Sequence, residues 1–467
     1  MPETSRDPLN LPWLREQLHR KTQALEHEIS AHQHTLDLLR LTEKAYGRFV
    51  SRELLGLLRA DSILELTQGQ NVETTMTVLF SDIRGFTQLS ERMTPSETYA
   101  FVNSYLSEME PAISAHGGVI DKFIGDAIMA LFAGGADTGL QSAIEMLQRL
   151  DHYNEGRTRA GYPAVHIGIG LNTGIVMLGL VGGSQRTEVT VLSDAVNLAS
   201  RLEDATKVYG TPLLISEHTL YSLADPEQYG IRFIDRIRVK GRHQPQSVYE
   251  VFDTDAPALR EGKRRTRIQF EKAAAYYHLK AIDQAQPLLE ACLQEVPDDQ
   301  PARVYLARCH TFRQTGLHEG TGEVGCELAW RDEFTVGEPT IDHQHQELLE
   351  HMNQLGRQVA QGDRAGIDEI MAFIANYAGF HFETEEAMMR AVDYPLMAGH
   401  VREHQTFVER YQRLAADITV QRHDLLYLGF QIQLFLFDWF ANHSTKTDRH
   451  LGRFIANLHS HQPPAQG

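Results

Sequence analysis

The sequence predicts a multidomain chain with an α+β domain, then a helical connector, then an all-α four-helix bundle. Three observations predict it. Between about 72 and 253, short β-like runs interleave with helical stretches and tight turns, the pattern of an α/β or α+β sandwich. Beyond about Asp332, long helical patterns recur with short breaks near Gly362, Pro395 and Val420, as an up-down bundle requires. At 467 residues the chain exceeds what one hydrophobic core holds, and roughly two to four domains are expected.

Composition narrows the classes. Hydrophobic and charged fractions of 42% and 23% are those of ordinary globular protein. The 62 acidic and 44 basic residues leave a formal charge of −18, which repels nucleic acid and anionic membranes at long range. Neither is expected as a partner. An anionic substrate must then be attracted locally, by metal and a few basic groups. Cys292, Cys309 and Cys326 form no CxxC pair and suit a reducing compartment. Met1–Leu14 lacks a basic region followed by an apolar stretch, and no apolar run approaches the ~20 residues that span a bilayer. A cytoplasmic protein is expected.

Residues 11–46 contain no glycine and place Leu18, Thr22, Leu25, Ile29, His32, Leu36 and Leu39 alternately four and three apart. That is a heptad seam with two polar interruptions, expected to form a short parallel coiled coil. The polar seam positions keep open a single amphipathic helix packed on its own domain. Within 72–253, Met76–Phe80 reads as a strand and Pro95–His116 as a helix. Val119–Ile124 and Ala127–Phe132 read as two strands around Gly125-Asp126. His166–Leu171 and Ile175–Leu180 are further strands, and Asp194–Lys207 is an amphipathic helix. Over 264–315 the pattern is helical. Ala273, Tyr276, Ala285, Leu289, Cys292 and Pro297 stand where a tetratricopeptide unit places its small, aromatic and terminating residues. One such unit and half of another is few for a peptide-binding solenoid, so a structural connector is expected. Gly316–Gly325 reads as a linker, and 332–458 as the bundle.

Three runs in the α+β domain carry chemistry. In Val78–Thr87 an apolar strand ends on Asp82 and turns through Gly85. In Asp121–Ala130 a second aspartate, Asp126, occupies the turn between two strands. If those strands are neighbours, both carboxylates project at the same end of one sheet, as hard Mg²⁺ ions require. Aspartate also favours turns for its backbone angles, so either alone decides nothing. The third run, Thr190–Glu203, places Asn197 and Arg201 four apart on one helical face. An amide and a guanidinium so placed can meet a ribose and a phosphate that gains charge during transfer.

Together these runs resemble the class III adenylate and guanylate cyclase catalytic domain. The resemblance implies a ferredoxin-like sheet and two catalytic domains paired head to tail in a homodimer, each active site built from both. It implies that Asp82 and Asp126, with the backbone carbonyl of Ile83, hold two Mg²⁺ (or Mn²⁺) ions. Lys122 and Thr190 would read the base from the other subunit, Asn197 would orient the ribose and Arg201 would stabilise the transition-state phosphate. Lys240 matches the family's triphosphate-binding lysine. A lysine can donate to an adenine ring nitrogen, and a threonine can donate or accept at the base edge. The family's guanylate cyclases typically carry Glu and Cys at these two places, so ATP is the expected substrate. Ser193 stands where a glycine is common, and Arg242 where a lysine is frequent.

The C-terminal pattern is denser. Eleven of the 23 histidines follow Asp332. His345 lies near the start of the first predicted helix, His381 and Glu385 are four apart on the second, and His400 and His404 four apart on the third. His443 and Asp448 end the fourth. Such spacing aims side chains at one face, and imidazoles with a carboxylate or two suit iron. The segment resembles the hemerythrin family. By that resemblance His345, His381, His400, His404 and His443 are terminal ligands of two Fe, Glu385 and Asp448 bridge them, and O₂ is the ligand. His343 falls outside the motif and is expected at the surface. Zinc or a hydrolytic metal pair would be expected with more carboxylate.

The expected function is an adenylate cyclase regulated by O₂ or redox state at the iron pair. Two alternatives stand beside it. In one, an O₂- or iron-binding protein uses the cyclase fold only to dimerise. In the other, a cyclase with structural iron is regulated by a protein partner of the connector.

Overall fold

The computed structural model describes residues 11–46, 52–60, 62, 65–67, 69–183, 186–238, 245–318, 328–361, 363–419 and 425–460. Two compact units emerge, one of residues 1–72 with 179–190, the other of 73–178 with 191–467. The first holds α1 (Leu11–Tyr46) and α2 (Arg52–Leu57). In α1 the seam residues Leu18, Leu25, Ile29, Leu36 and Leu39 are all exposed.

The second unit is built on a mixed sheet. Its strands and helices run β1 (Asn71–Ile83), α3 (Phe86–Ser90), α4 (Pro95–Ala115), β2 (Gly118–Ile124), β3 (Ala127–Phe132) and α5 (Ala136–Arg159). They continue with β4 (Ile167–Gly183) and β5 (Arg186–Leu192), of which 179–190 belong to the first unit, then α6 (Asp194–Tyr209), β6 (Leu213–Ser216), α7 (Glu217–Ser222), β7 (Ile231–Arg238) and β8 (Pro245–Val251). The strand order is β2-β3-β1-β4-β6-β8-β7, with β5 pairing β4 off this path. β1 and β3 are antiparallel neighbours in the register Ser81↔Ile128, while β4 and β6 are parallel.

Local chemistry sets the helix boundaries. Thr94 and Glu97 form a reciprocal capping box at α4, with Pro95 in the first helical position. Ser193 caps α6, accepting from the Ala195 N–H at 3.0 Å and donating to the Ile175 carbonyl at 2.6 Å. The serine that departs from the family's usual glycine thus pins α6 to β4. At Gly170 an added Cβ would lie 2.3 Å from the Glu203 backbone N and 2.4 Å from the Ala199 carbonyl. Only glycine lets the helix come this close. The core between sheet and helices contains Leu79, Tyr105, Phe132, Leu140, Leu171 and Leu202, all buried.

The two strands expected at His166–Leu171 and Ile175–Leu180 are one continuous strand. The polar residues between them are satisfied in place, because Asn172 donates to the Ala195 carbonyl at 3.0 Å and Thr173 to Thr219 at 3.2 Å. They read as a break in the sequence and are hydrogen-bonded strand in the fold.

Three helices follow, α8 (Pro257–His278), α9 (Ile282–Glu295) and α10 (Gln300–Thr315). Buried charge fixes them to the sheet. Arg232 of β7 meets Glu250 of β8 at 2.6 Å and Asp299, before α10, at 2.6 Å, while Lys263 of α8 meets Glu250 at 2.7 Å. Asp235 accepts from Arg308 at 2.6 Å and lies 3.0 Å from His278.

The C-terminal bundle comprises α11 (Pro339–Gln361), α12 (Arg364–Ala391), α13 (Met397–Thr419) and a fourth helical run. That run is α14 (Leu425–Ile432), a π-helical turn Gln433–Phe437, α15 (Asp438–His443), a second π-helical turn Ser444–Asp448, and α16 (Arg449–Ser460). Phe334, Met352, Phe382, Phe407, Leu436 and Trp439 form its core. No described helix is long and apolar enough to cross a membrane.

Candidate functional sites

Asp82 is the penultimate residue of β1, and Asp126 lies in the turn between β2 and β3. Because β1 and β3 pair side by side, the two aspartates fall at one end of the sheet, one residue beyond Ser81 and two before Ile128. Burial pushes the Asp126 carboxyl up to about 6, and the neighbouring Asp82 adds to the rise. The Ile83 backbone N–H, hydrogen-bonded to Asp126, opposes it. A carboxyl crowded by another and half-buried gains most from a nearby cation. The pair therefore fits divalent metal on its own chemistry.

Asn197 and Arg201 occupy successive turns of α6. Asn197 is exposed and Arg201 half-buried. Among the described residues neither side chain takes part in a hydrogen bond or ion pair within the chain. Lys122 lies on β2, 3.3 Å from Asp121, and Thr190 is a buried residue of β5. Lys240 lies outside the described residues, as does Arg242.

The structure adds a residue absent from the motifs. Lys207 of α6 donates to Asp82 at 3.1 Å and sits 3.2 Å from Glu203 and 3.3 Å from Asp204. Burial works against its charge, but Asp82 and Glu203 outweigh it and raise its pKa. Glu203 and Lys207 are neighbours on α6 by their spacing, but nothing local in the sequence marks the contact across to β1.

In the bundle, the seven expected ligands converge. His345 comes from α11, His381 and Glu385 from α12, His400 and His404 from α13, His443 from α15, and Asp448 from the second π-helical turn. All are buried. They form two overlapping donor groups, Glu385 with His400, His404 and His443, and Glu385 with His345, His381 and Asp448. Glu385 turns Oε1 toward His381 (3.5 Å) and Oε2 toward His404 (3.1 Å) and His400 (3.4 Å). Asp448 turns Oδ2 toward His345 (3.3 Å) and Oδ1 toward His443 (3.0 Å) and His400 (3.1 Å). Each carboxylate thus faces the two-histidine and the three-histidine side with separate oxygens.

The donor atoms test what belongs there. All four oxygens of Glu385 and Asp448, and Nε2 of His400, are buried without a conventional hydrogen-bond partner. The Nε2 atoms of His345 and His381 stand 3.1 Å apart, and those of His404 and His443 3.2 Å apart. Buried lone pairs so crowded are costly unless a cation collects them. Burial drives the Asp448 carboxyl up, but His443, His345 and His400 overcome it and hold it well below the ordinary range. Five imidazoles and two carboxylates shared between two donor groups fit a pair of first-row ions.

Outer partners orient the rings. Gln344 lies 2.9 Å from His381 Nδ1, Glu403 2.8 Å from His443 Nδ1, and Glu386 3.3 Å from His404 Nδ1. Such contacts fix tautomer and ring angle. The sequence reading missed all three, although each adjoins a ligand in the chain. His343 is exposed, 3.8 Å from Glu347.

The fold and these two sites define a protein of two classes joined in one chain: a sheet presenting paired aspartates at one end, and a helical bundle enclosing a cluster of seven buried donor side chains. Comparison with known proteins names both. Residues 69–251 match the adenylate and guanylate cyclase catalytic domain, and residues 336–455 the hemerythrin HHE cation-binding domain. The chain carries both domains. It is 42% identical over 228 residues to an adenylate cyclase of Anabaena cylindrica, covering 48% of this chain and 45% of that protein. It is 33% identical over 273 residues to the terminal-differentiation-specific adenylate cyclase of Dictyostelium discoideum, covering 57% of this chain and 13% of that protein. The chain thus spans less than half the length of these relatives. The crystal structure of the adenylyl cyclase CyaB from P. aeruginosa shares 32% identity over 39% of this chain and 96% of its own, with a TM-score of 0.36.

Proposed function

We propose that this protein is an adenylate cyclase, converting ATP to 3′,5′-cyclic AMP and pyrophosphate, regulated by O₂ or redox state at the di-iron site of its hemerythrin domain. The observation that carries the cyclase reading is the pairing of Asp82 and Asp126 at one sheet end within a matching catalytic domain. The observation that carries the sensor reading is the complete seven-donor set with its orphaned carboxylate oxygens.

In this reading the ribose 3′-oxygen attacks the α-phosphate and pyrophosphate leaves, so the protein supplies positioning and charge. When bound, two Mg²⁺ or Mn²⁺ ions at Asp82, Ile83 and Asp126 neutralise phosphate charge. Asn197 orients the ribose, Arg201 holds the phosphate as it gains charge, and Lys240 binds the triphosphate. Lys122 and Thr190 read adenine from the second subunit of a homodimer, which the exposed seam of α1 supports by offering a coiled coil. When bound, the two Fe supply a redox-active centre with affinity for O₂. The chain's part is to hold them through His345, His381, His400, His404 and His443, with Glu385 and Asp448 shared between them. The helices α8–α10 act as a structural connector. The two buried free thiols, Cys292 and Cys309, accord with a cytoplasmic location.

The test is cyclic AMP production by purified, iron-loaded protein with Mg-ATP, anaerobically reduced and then exposed to air. The rate is expected to change on exposure, and the change to vanish when His404 is replaced. An equal rate in both states would refute regulation by O₂, and no cyclic AMP in either would refute the cyclase.

A further inference from the structure

Along the helical run that ends the bundle, one face supplies iron-site donors and another faces the cyclase sheet. His443 and Asp448 point into the donor cluster. Asp438, Asn442 and Lys446, each four apart, point the other way and are fully engaged. Asp438 accepts from Arg236 of β7 at 2.5 Å. Asn442 donates to Glu217 of α7 at 2.7 Å and accepts from Gln246 of β8 at 2.8 Å. Lys446 bonds His218 of α7 and reaches Gln246 at 3.4 Å. Glu217, Arg236, Gln246, Asp438 and Asn442 are all buried. Parting these groups without new partners would leave buried polar atoms unpaired, so the junction transmits a shift rather than absorbing it.

The cyclase side of this junction leads directly to catalytic elements. Thr219 of α7 accepts from Thr173 at 3.2 Å, and Thr173 bonds Thr77 of β1 at 2.9 Å, all three being buried. Asp82 is the penultimate residue of β1. The neighbouring Asn172 donates to the Ala195 carbonyl in the first turn of α6, which carries Asn197 and Arg201. Beside the junction lies a cavity of about 260 Å³ lined by Thr173, Asp194, Glu217, His218, Asn442 and His443.

We propose that Asn442, Glu217 and Lys446 are positioning residues of the cyclase reaction. They link the helix bearing His443 and Asp448, through α7 and the Thr219–Thr173–Thr77 chain, to the strand and helix that hold Asp82, Asn197 and Arg201. This rests on the sensor reading above and names its route.

The test uses the full, iron-loaded chain as wild type, Asn442→Ala, Asn442→Gln and Arg413→Ala. Arg413 pairs with Glu227 at 3.0 Å on the exposed surface and takes no part in the Asn442–Glu217–Lys446 contacts. The iron absorption spectrum is read first, to establish that each variant keeps its metal. The ratio of kcat between reduced and air-exposed states is expected to collapse to about one in Asn442→Ala. KM for ATP should hold, Asn442→Gln should restore part of the ratio, and Arg413→Ala should keep it. Hydrogen exchange over 75–83 and 213–222 should slow on iron loading in wild type and not in Asn442→Ala. A wild-type ratio retained in Asn442→Ala, or lost equally in Arg413→Ala, overturns the proposal. If wild type itself shows no ratio, the sensor reading falls, and exchange alone decides the junction: identical exchange in wild type and Asn442→Ala overturns it.

Discussion

At the scale of single residues, function rests on groups whose surroundings leave them incomplete. Glu385 and Asp448 are the extreme case, with four buried oxygens that lack hydrogen-bond partners. Stripping iron with a chelator is therefore expected to lower the melting temperature of the bundle, and reloading to restore it, as read by calorimetry. Asp82→Asn should reduce cyclic AMP formation by at least about 10²-fold while iron content is unchanged. An unchanged rate would mean that Asp82 holds no catalytic metal. For the base, Lys122→Glu with Thr190→Cys should shift preference from ATP toward GTP, measured as the ratio of kcat/KM. The motifs made these residues legible, because aspartates at strand ends and histidines at helical spacing carry their chemistry in sequence. Lys207 and Glu403 were not legible. Their partners, Asp82 and His443, are distant in the chain and reach them only in the fold.

At the scale of elements, spacing alone would misplace Asp448. Five residues along an α-helix turn through about 140° beyond a full revolution, which would point Asp448 away from His443. The π-helical turn Ser444–Asp448 widens the helix at this position and brings the carboxylate to 3.0 Å from His443. Deleting one residue of that turn is expected to abolish iron binding while preserving helix content by circular dichroism. A second constraint sits at Gly170, where β4 and α6 touch through their backbones. Gly170→Ala should destabilise the domain by about 1–3 kcal/mol and displace α6, lowering kcat through Asn197 and Arg201. Undiminished kcat would mean that α6 need not sit so close.

At the scale of the whole second unit, buried ion pairs and aromatic contacts replace the flexible linkage common between domains. Burial pushes the Glu250 carboxyl up, but Arg232 and Lys263 overcome it and hold it at about 2, against an ordinary 4.5. Its contribution is thus complete above pH 4.5 and lost as pH falls toward 2, on the order of 3 kcal/mol. Denaturation midpoints should drop through that window, and Glu250→Gln should make the drop smaller. Phe430 of α14 stacks on His278 of α8, centroids 5.8 Å apart, and meets Phe233 of β7 edge-on at 5.5 Å. Bundle, connector helices and sheet thus share one apolar seam. For assembly, removing residues 1–46 is expected to weaken self-association in sedimentation experiments, because it removes the exposed apolar seam of α1.

The sequence by itself determined the two chemistries, since each rests on residue types at local spacings that a strand end, a turn or one helical face must display. It also determined the class of each domain, through the change from alternating strands to uninterrupted helices. The tertiary structure alone decided how the two chemistries meet. That Asn442 bonds Glu217, that Asp438 bonds Arg236, and that three threonines join α7 to β1 are contacts between residues up to 225 positions apart. No local pattern encodes such pairings, because each side chain alone is an ordinary polar residue, and only burial against its partner makes it matter.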